Sequence, residues 1–121
     1  MQKTIFVVDD NDTNLSVAKE VLKPHYRVLT LPSAEKMFAL MEKIRPDLIL
    51  LDIEMPEMDG FEALGRLKEN TSFADIPVIF LTSTIDPAIE EKGTQLGARG
   101  IITKPFSEPV LLDLIKTNLD K

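Results

Sequence analysis

The 121-residue sequence contains no cysteine and no long apolar run. The absence of cysteine excludes disulfides, thiol catalysis and thiolate metal sites. No segment approaches the roughly 18 apolar residues that a membrane span requires. The apolar run that follows Met1 is also too short for a signal peptide. We therefore expect a cytoplasmic protein that has no membrane partner.

Positive charge is scarce as well. Fourteen lysines and arginines face twenty aspartates and glutamates, so the formal net charge is −6. This sign argues against a nucleic-acid-binding surface. The single histidine, His25, lies in a predicted turn between Pro24 and Tyr26, and we interpret it as a surface residue. An acidic chain that binds an anion must supply positive charge locally, from a metal ion or a well-placed lysine.

What the sequence does contain is the composition of a globular protein. Hydrophobic residues make up 44% and charged residues 28% of the chain, which is too apolar for a disordered one. Its length predicts a single domain over residues 1–121. A sequence that stops at Lys121 fits either a stand-alone protein or a domain cut from a longer one.

Short apolar runs alternate with segments of helical periodicity five times along the chain. The predicted strands cover 5–8, 26–31, 48–51, 77–82 and 100–103. The predicted helix starts are the N-caps Asp12, Ser33, Asp86 and Ser107, and Gly60, which opens the third helix. Strict alternation predicts a parallel sheet with helices on both faces. Right-handed crossovers with one reversal give a flavodoxin-like α/β fold of strand order 2-1-3-4-5.

Polar residues collect just after the predicted strands. In a parallel sheet these positions meet at one edge, where open α/β sheets bind ligands. The residues are Asp9 and Asp10 after the first strand, Asp52 after the third, Thr82 and Ser83 after the fourth, and Lys104 after the fifth.

This set of side chains predicts phosphoryl chemistry. Three neighbouring carboxylates repel one another unless a hard divalent cation lies between them, and Mg²⁺ suits such a site because it also contacts phosphates. Lys104 and Thr82 would form a clamp for an anionic, phosphate-sized group. A carboxylate beside the metal and the clamp can attack phosphorus and form an aspartyl phosphate.

The chain resembles, over its whole length, the receiver domains of bacterial two-component response regulators. Five segments carry the resemblance, and their order and spacing make it specific. They are Val7–Asp10, Asp52–Gly60, Leu81–Ser83, Leu96–Ala98 and Lys104–Phe106.

The resemblance implies a metal site and a phosphoryl acceptor. Asp52 would be the acceptor, and Mg²⁺, with Mn²⁺ as a substitute, would be the cofactor. Asp10 would bind the metal directly and Asp9 would assist it. Asp52 and the backbone carbonyl of Glu54 would complete the protein ligands.

The resemblance also implies how the phosphoryl group is held. Thr82 would donate a hydrogen bond to it, with help from the backbone NH of Ser83. Lys104 would pair with its oxygens, and Pro105 would follow a cis peptide bond that aims the lysine. The family usually has Tyr or Phe three residues before this lysine, where the present chain has Ile101. We therefore predict a conformational change led by residues 83–87.

The implied function is a signalling switch without turnover of an external substrate. A histidine kinase or a phosphotransfer protein would supply the phosphoryl group from a phosphohistidine. Phosphorylation would alter the surface of the fourth helix, fifth strand and fifth helix. This surface would control an output domain or partner, and the resemblance allows a homodimer through it.

The alternative is an enzyme, a phosphatase of the haloacid dehalogenase type with Asp10 as its nucleophile. Asp10, Asp12, Thr82 and Lys104 imitate the residue set of that superfamily. The chain lacks a cap domain and the acidic pair expected after a later strand. The phosphatase hypothesis also gives no role to the segment from Asp52 to Pro56.

Overall fold

The computed structural model describes residues 2–84 and 86–119, in which five strands alternate with five helices. The predicted alternation is therefore confirmed, and the predicted bounds shift by one residue at most strands. The elements are β1 Thr4–Val8, α1 Asp12–Leu22, β2 Arg27–Leu31, α2 Ala34–Met41, β3 Leu48–Asp52, α3 Gly60–Glu69, β4 Val78–Thr82, α4 Pro87–Leu96, β5 Gly100–Thr103 and α5 Glu108–Leu119.

The five strands form one parallel sheet in the predicted order β2-β1-β3-β4-β5. Every residue of β1, β3 and β4 is buried, whereas β2 at the edge exposes Arg27 and Thr30. Helices cover both faces of the central strands, and this explains why their sequences are apolar without alternation. The run Leu48–Leu51 in β3 is the clearest case.

Successive side chains of each strand enter different cores, because they point to opposite faces of the sheet. Phe6, Ile49 and Phe80 pack with α2 and α3 on one face. Ile5 and Leu50 pack with α1 and α5 on the other. Among the described residues, the structure contains no helix that is long and apolar enough to cross a membrane.

The helix ends follow the sequence signals with one correction. Ser33 and Asp86 cap α2 and α4 as predicted. The predicted cap Asp12 is instead the first residue of α1, and Asn11 is the N-cap. The backbone of Asn11 is extended. In this conformation its side-chain oxygen accepts a hydrogen bond of 3.0 Å from the amide of Asn14. Either residue type caps a helix well, so backbone geometry decided between these neighbours.

Gly60 brings the start of α3 against the end of β3. A Cβ at this position would lie 2.5 Å from the carbonyl oxygen of Asp52 and 2.8 Å from Cα of Ile53. The Gly60 amide also donates to the carbonyl of Ile53 at 2.8 Å. Only glycine permits this approach without displacing the backbone that carries Asp52.

Candidate functional site

The carboxyl ends of β1, β3, β4 and β5 surround an open pocket of about 430 Å³. The strand register accounts for this, since Val8 pairs with Leu51 and the next residues, Asp9 and Asp52, are therefore neighbours. The pocket is lined by Asp9, Asp10, Asn11, Asn14, Asp52, Glu54, Ser83, Lys104 and Pro105.

Asp9 is fully buried and its carboxylate has polar partners on both oxygens. Oδ1 accepts a hydrogen bond from the amide of Asn11 at 2.9 Å. Oδ2 accepts from Nδ2 of Asn14 and from Nζ of Lys104, both at 3.2 Å. These donors offset the loss of water around a buried carboxylate. The contact between Asn14 and Asp9 was not predicted. The position of Asn14 in the first turn of the helix that follows β1 was a usable signal.

Asp52 is the second buried carboxylate, with 1% of its surface exposed. Its Oδ1 accepts from Nζ of Lys104 at 3.1 Å and from the amide of Glu54 at 3.3 Å. Burial raises the pKa of Asp52 to about 7, and the negative charge of Asp9 adds to this effect. The Lys104 ammonium opposes the rise without cancelling it. The carboxylates of Asp9 and Asp52 together therefore carry more negative charge than the single ammonium of Lys104 neutralises, and we call this difference the deficit of positive charge.

Lys104 places its ammonium between these two carboxylates. Only 14% of the side chain is exposed. Burial by itself lowers the pKa of Lys104, but the hydrogen bond and charge of Asp52, together with Asp9, outweigh burial and raise it. The backbone amide of Lys104 donates to the carbonyl of Thr82 at 2.8 Å, which fixes the lysine against β4. The peptide bond to Pro105 is cis, as the resemblance implied.

Asp10 completes an acidic cluster with Asp9 and Asp52. Each of the three can offer a carboxylate oxygen, and these atoms lie within 4.8 Å of one another. Asp10 is exposed at the pocket mouth, whereas the other two are buried. Oxygen ligands at this spacing fit a hard divalent cation, and the charge deficit around Asp52 favours one. The cluster predicted from the strand ends is therefore present.

Thr82 lies at the same edge but its hydroxyl faces different partners. The buried Oγ1 donates to the carbonyl of Thr84 at 2.9 Å and lies 3.3 Å from Oε1 of Glu54. It also accepts from the amide of Thr84 at 3.2 Å. In the described part of the chain, the hydrogen bonds of this side chain thus stay within the loop after β4 and the Glu54 carboxylate.

The Glu54 side chain is a site feature that sequence reasoning missed, because only its backbone carbonyl was assigned a role. Its Oε1 also accepts from the hydroxyl of Ser83 at 3.2 Å. The register pairs Asp52 with Leu81, which brings Glu54 opposite Ser83 two residues later. The predicted strand order alone does not fix this register.

Ile101 lies on β5, away from the carboxylates. It is half-buried and packs with Phe80 against α4 at Gly93, where a Cβ would lie 3.2 Å from atoms of both side chains. A second cavity, of about 200 Å³, lies beside this contact between β5 and α4. Its lining consists of Glu90, Thr94, Ala98, Gly100 and Ile101.

Comparison with known proteins gives consistent matches. The family model of the response regulator receiver domain matches residues 5–116. The polar-differentiation response regulator DivK of Brucella anthropi is 32% identical over 120 residues, which span 98% of each chain. A probable cyclic di-GMP phosphodiesterase of Vibrio cholerae is 38% identical over 118 residues. That match covers 98% of this chain but only 27% of the phosphodiesterase.

A solved structure extends the likeness to three dimensions. The BeF3-activated receiver domain of DrrB from Thermotoga maritima superposes with a TM-score of 0.89 at 30% identity, with 100% of each chain covered. None of these matches supports the haloacid dehalogenase alternative.

Proposed function

Since this chain belongs to the response regulator receiver domain family, whose members are phosphorylation-activated signalling switches, we propose that Asp52 accepts the phosphoryl group. The observation that carries this proposal is the position of Asp52. It is the buried carboxylate at the end of the central strand, in contact with Lys104 and grouped with Asp9 and Asp10 in the acidic cluster. Asp10, the nucleophile of the alternative, is exposed at the pocket mouth instead.

In the proposed reaction, an oxygen of the Asp52 carboxylate attacks the phosphorus of a phosphohistidine on a partner protein. The new P–O bond forms as the P–N bond breaks, and the departing imidazole keeps the electron pair of that bond and takes a proton. A Mg²⁺ or Mn²⁺ ion held by Asp9, Asp10, Asp52 and the Glu54 carbonyl would neutralise carboxylate and phosphoryl oxygens. The donor is a histidine kinase or a phosphotransfer protein.

Lys104 and Thr82 would hold the transferred group. Nζ of Lys104 already contacts Asp52 at 3.1 Å, so it would reach a phosphoryl oxygen on that side chain with a small movement. Thr82 would redirect its hydroxyl from Thr84 towards the phosphoryl group, and the Ser83 amide would assist. The phosphoryl group carries about −1.5 to −2 charges at neutral pH, which attracts the Lys104 ammonium and the Thr82 hydroxyl.

The predicted path of the response runs through residues 83–87, of which residue 85 lies outside the described part of the chain, and through the surface of α4, β5 and α5. Ile101 packs on α4 without a polar tip that could redirect, so we assign the first movement to the loop. This surface would contact an output domain, a partner or a second copy of the chain. The domain itself would turn over no external substrate and would act in the cytoplasm.

The test is intact mass after incubation with acetyl phosphate and Mg²⁺. We expect a gain of about 80 Da, one phosphoryl group, which is absent without the metal and absent in Asp52→Ala. Asp12→Ala serves as the matched control, since Asp12 is an exposed carboxylate on α1 outside the cluster. An adduct that persists in Asp52→Ala and disappears in Asp10→Ala would overturn the assignment.

A further inference from the structure

The Glu54 carboxylate connects the loop after β3 with the loop after β4. In the proposed reaction, the first of these loops follows the acceptor Asp52, and the second follows the strand whose hydroxyl binds the phosphoryl group. Oε1 of Glu54, in the loop after β3, lies 3.3 Å from Oγ1 of Thr82 and 3.2 Å from Oγ of Ser83. Both hydroxyls belong to the end of β4 and the loop after it. One carboxylate oxygen of the exposed Glu54 therefore competes with the Thr84 carbonyl, at 2.9 Å, for the hydroxyl on which phosphoryl binding depends. The same oxygen accepts a hydrogen bond from the hydroxyl of Ser83.

The hydroxyl of Thr82 has one hydrogen to donate. It cannot serve Glu54 or the carbonyl of Thr84 and at the same time bind a phosphoryl oxygen. A carboxylate at this distance would also be repelled by a group that carries about two negative charges. Both effects oppose the phosphoryl-bound arrangement as long as the Glu54 contact persists.

We propose that the Glu54 side chain is a positioning residue, which holds the Thr82 and Ser83 hydroxyls in the unphosphorylated chain and releases them when a phosphoryl group binds. This inference rests on the function proposed above. The contact acts as a latch between the loops after β3 and β4. It sets how readily the site adopts the phosphoryl-bound arrangement, while the reacting atoms remain those of Asp52.

The test uses BeF3⁻ with Mg²⁺ as a non-covalent probe of the phosphoryl position, with affinity measured by titration. Glu54→Ala removes the acceptor and should tighten binding about fivefold, the effect of one net hydrogen bond. Ser83→Ala removes one donor but keeps the backbone amide, and should tighten binding about twofold. The double variant should bind no more tightly than Glu54→Ala, because both changes break the same contact.

A control separates the latch from simple charge. Glu57→Gln removes one negative charge from the same loop, but no hydroxyl contact of Glu57 is found in the described part of the chain, and it should leave BeF3⁻ affinity unchanged. Equal tightening by Glu57→Gln and Glu54→Ala, or no effect of Ser83→Ala, would overturn the latch. Weaker binding by Glu54→Ala would overturn it as well.

A second readout does not depend on phosphorylation. In the protein without BeF3⁻, the methyl NMR signal of Thr82 should move in Glu54→Ala towards its position in the BeF3⁻-bound wild type. An unmoved signal contradicts the latch. If the wild type neither binds BeF3⁻ nor gains phosphoryl mass on Asp52, the proposed function itself fails. If it does both while the Glu54 and Ser83 variants match it, only the latch fails.

Discussion

The two halves of the site are held together by different interactions. The carboxylate half consists of Asp9, Asp52 and Lys104, whose side chains are at most 14% exposed and form ion pairs of 3.1 and 3.2 Å. The hydroxyl half consists of Thr82, Ser83 and Glu54, of which the last two are exposed. Its two contacts to Glu54 are hydrogen bonds of 3.2 and 3.3 Å from uncharged hydroxyls to an exposed carboxylate. The first half is fixed by charge in a desolvated place, whereas the second can rearrange at low cost.

This difference matches the tasks that we assign to the two halves. An acceptor gains from a fixed position, because proper alignment lowers the barrier to transfer. A responding group must instead change partners for a free energy that one phosphoryl group can supply. The comparison predicts large effects from changes in the carboxylate half and small ones in the hydroxyl half, and the following predictions are ordered on that basis.

The largest effect should come from Lys104→Met, which keeps the apolar stem and removes the charge. Two buried carboxylates then face each other without the ammonium that contacts both. We expect a loss of about 3 kcal/mol in the free energy of unfolding, since removal of one partner leaves buried charge unpaired. Urea unfolding in EDTA measures it, with the exposed Lys36→Met as control. A loss equal to that of the control would show that the ion pairs do not stabilise this half.

The pH dependence of the free energy of unfolding should also reflect the burial of charge in the carboxylate half. The pKa of Asp52 is raised to about 7 from 3.8, so the folded chain binds this proton more tightly than the unfolded chain does. The stabilising effect of the proton is complete below about pH 4 and is lost as the pH rises towards 7. The slope contributed by this group is at most about 1.4 kcal/mol per pH unit.

The measurement is urea unfolding in EDTA between pH 5 and 8, compared with Asp52→Asn. The variant does not titrate at this position, so its stability should fall less over this range. Parallel curves for the two proteins would mean that Asp52 is ionised in the folded state at pH 5, contrary to the deficit of positive charge described above.

How far the sequence predicts this site depends on the kind of residue. Apolar runs and strand-end carboxylates are local signals, so Leu48–Leu51, the strand order and the cluster around Asp52 follow directly. The choice of Asn11 over Asp12 as cap does not, because both types cap helices and one residue separates them. The contact of Glu54 with Ser83 depends on a strand register and a side-chain rotamer, neither of which is encoded by residue type.

A single methyl group at Gly60 should have an intermediate effect on the carboxylate half. Gly60→Ala would place Cβ 2.5 Å from the carbonyl oxygen of Asp52, and backbone atoms cannot move aside cheaply. We expect a loss of about 2 kcal/mol. Gly65→Ala on the same helix is the matched control, since no atom other than those of its chain neighbours and its own helix backbone lies within 4 Å of its added Cβ. It should stabilise the chain by up to about 1 kcal/mol.

Thermal or urea unfolding of the two glycine variants tests the contrast directly. Opposite signs are expected for two identical substitutions five residues apart. If Gly60→Ala were neutral, α3 would have moved away from β3, and the phosphorylation rate of Asp52 would reveal whether the site moved with it.

The smallest effect should follow removal of Asp86, the N-cap of α4, which is the helix that follows the hydroxyl half in the chain. The Asp86 side chain accepts a hydrogen bond from the amide of Ile89 at 2.9 Å at the start of α4. Asp86→Ala should cost about 1 kcal/mol of stability, the usual effect of a lost N-cap. Asp59→Ala is the counterpart beside the carboxylate half, where Asp59 caps α3 through the amide of Glu62 at 2.8 Å.

The two caps are alike in chemistry but not in surroundings, so hydrogen exchange separates them where total stability does not. Asp86→Ala should speed exchange mainly in the first turn of α4, because the lost hydrogen bond to the Ile89 amide lies there. Asp59→Ala should speed exchange less around Asp52, because the ion pairs with Lys104 hold that strand end independently of the cap. Equal local exchange in both variants would mean that the two halves are equally rigid, and the division of labour between a fixed acceptor and a movable hydroxyl would have no physical basis.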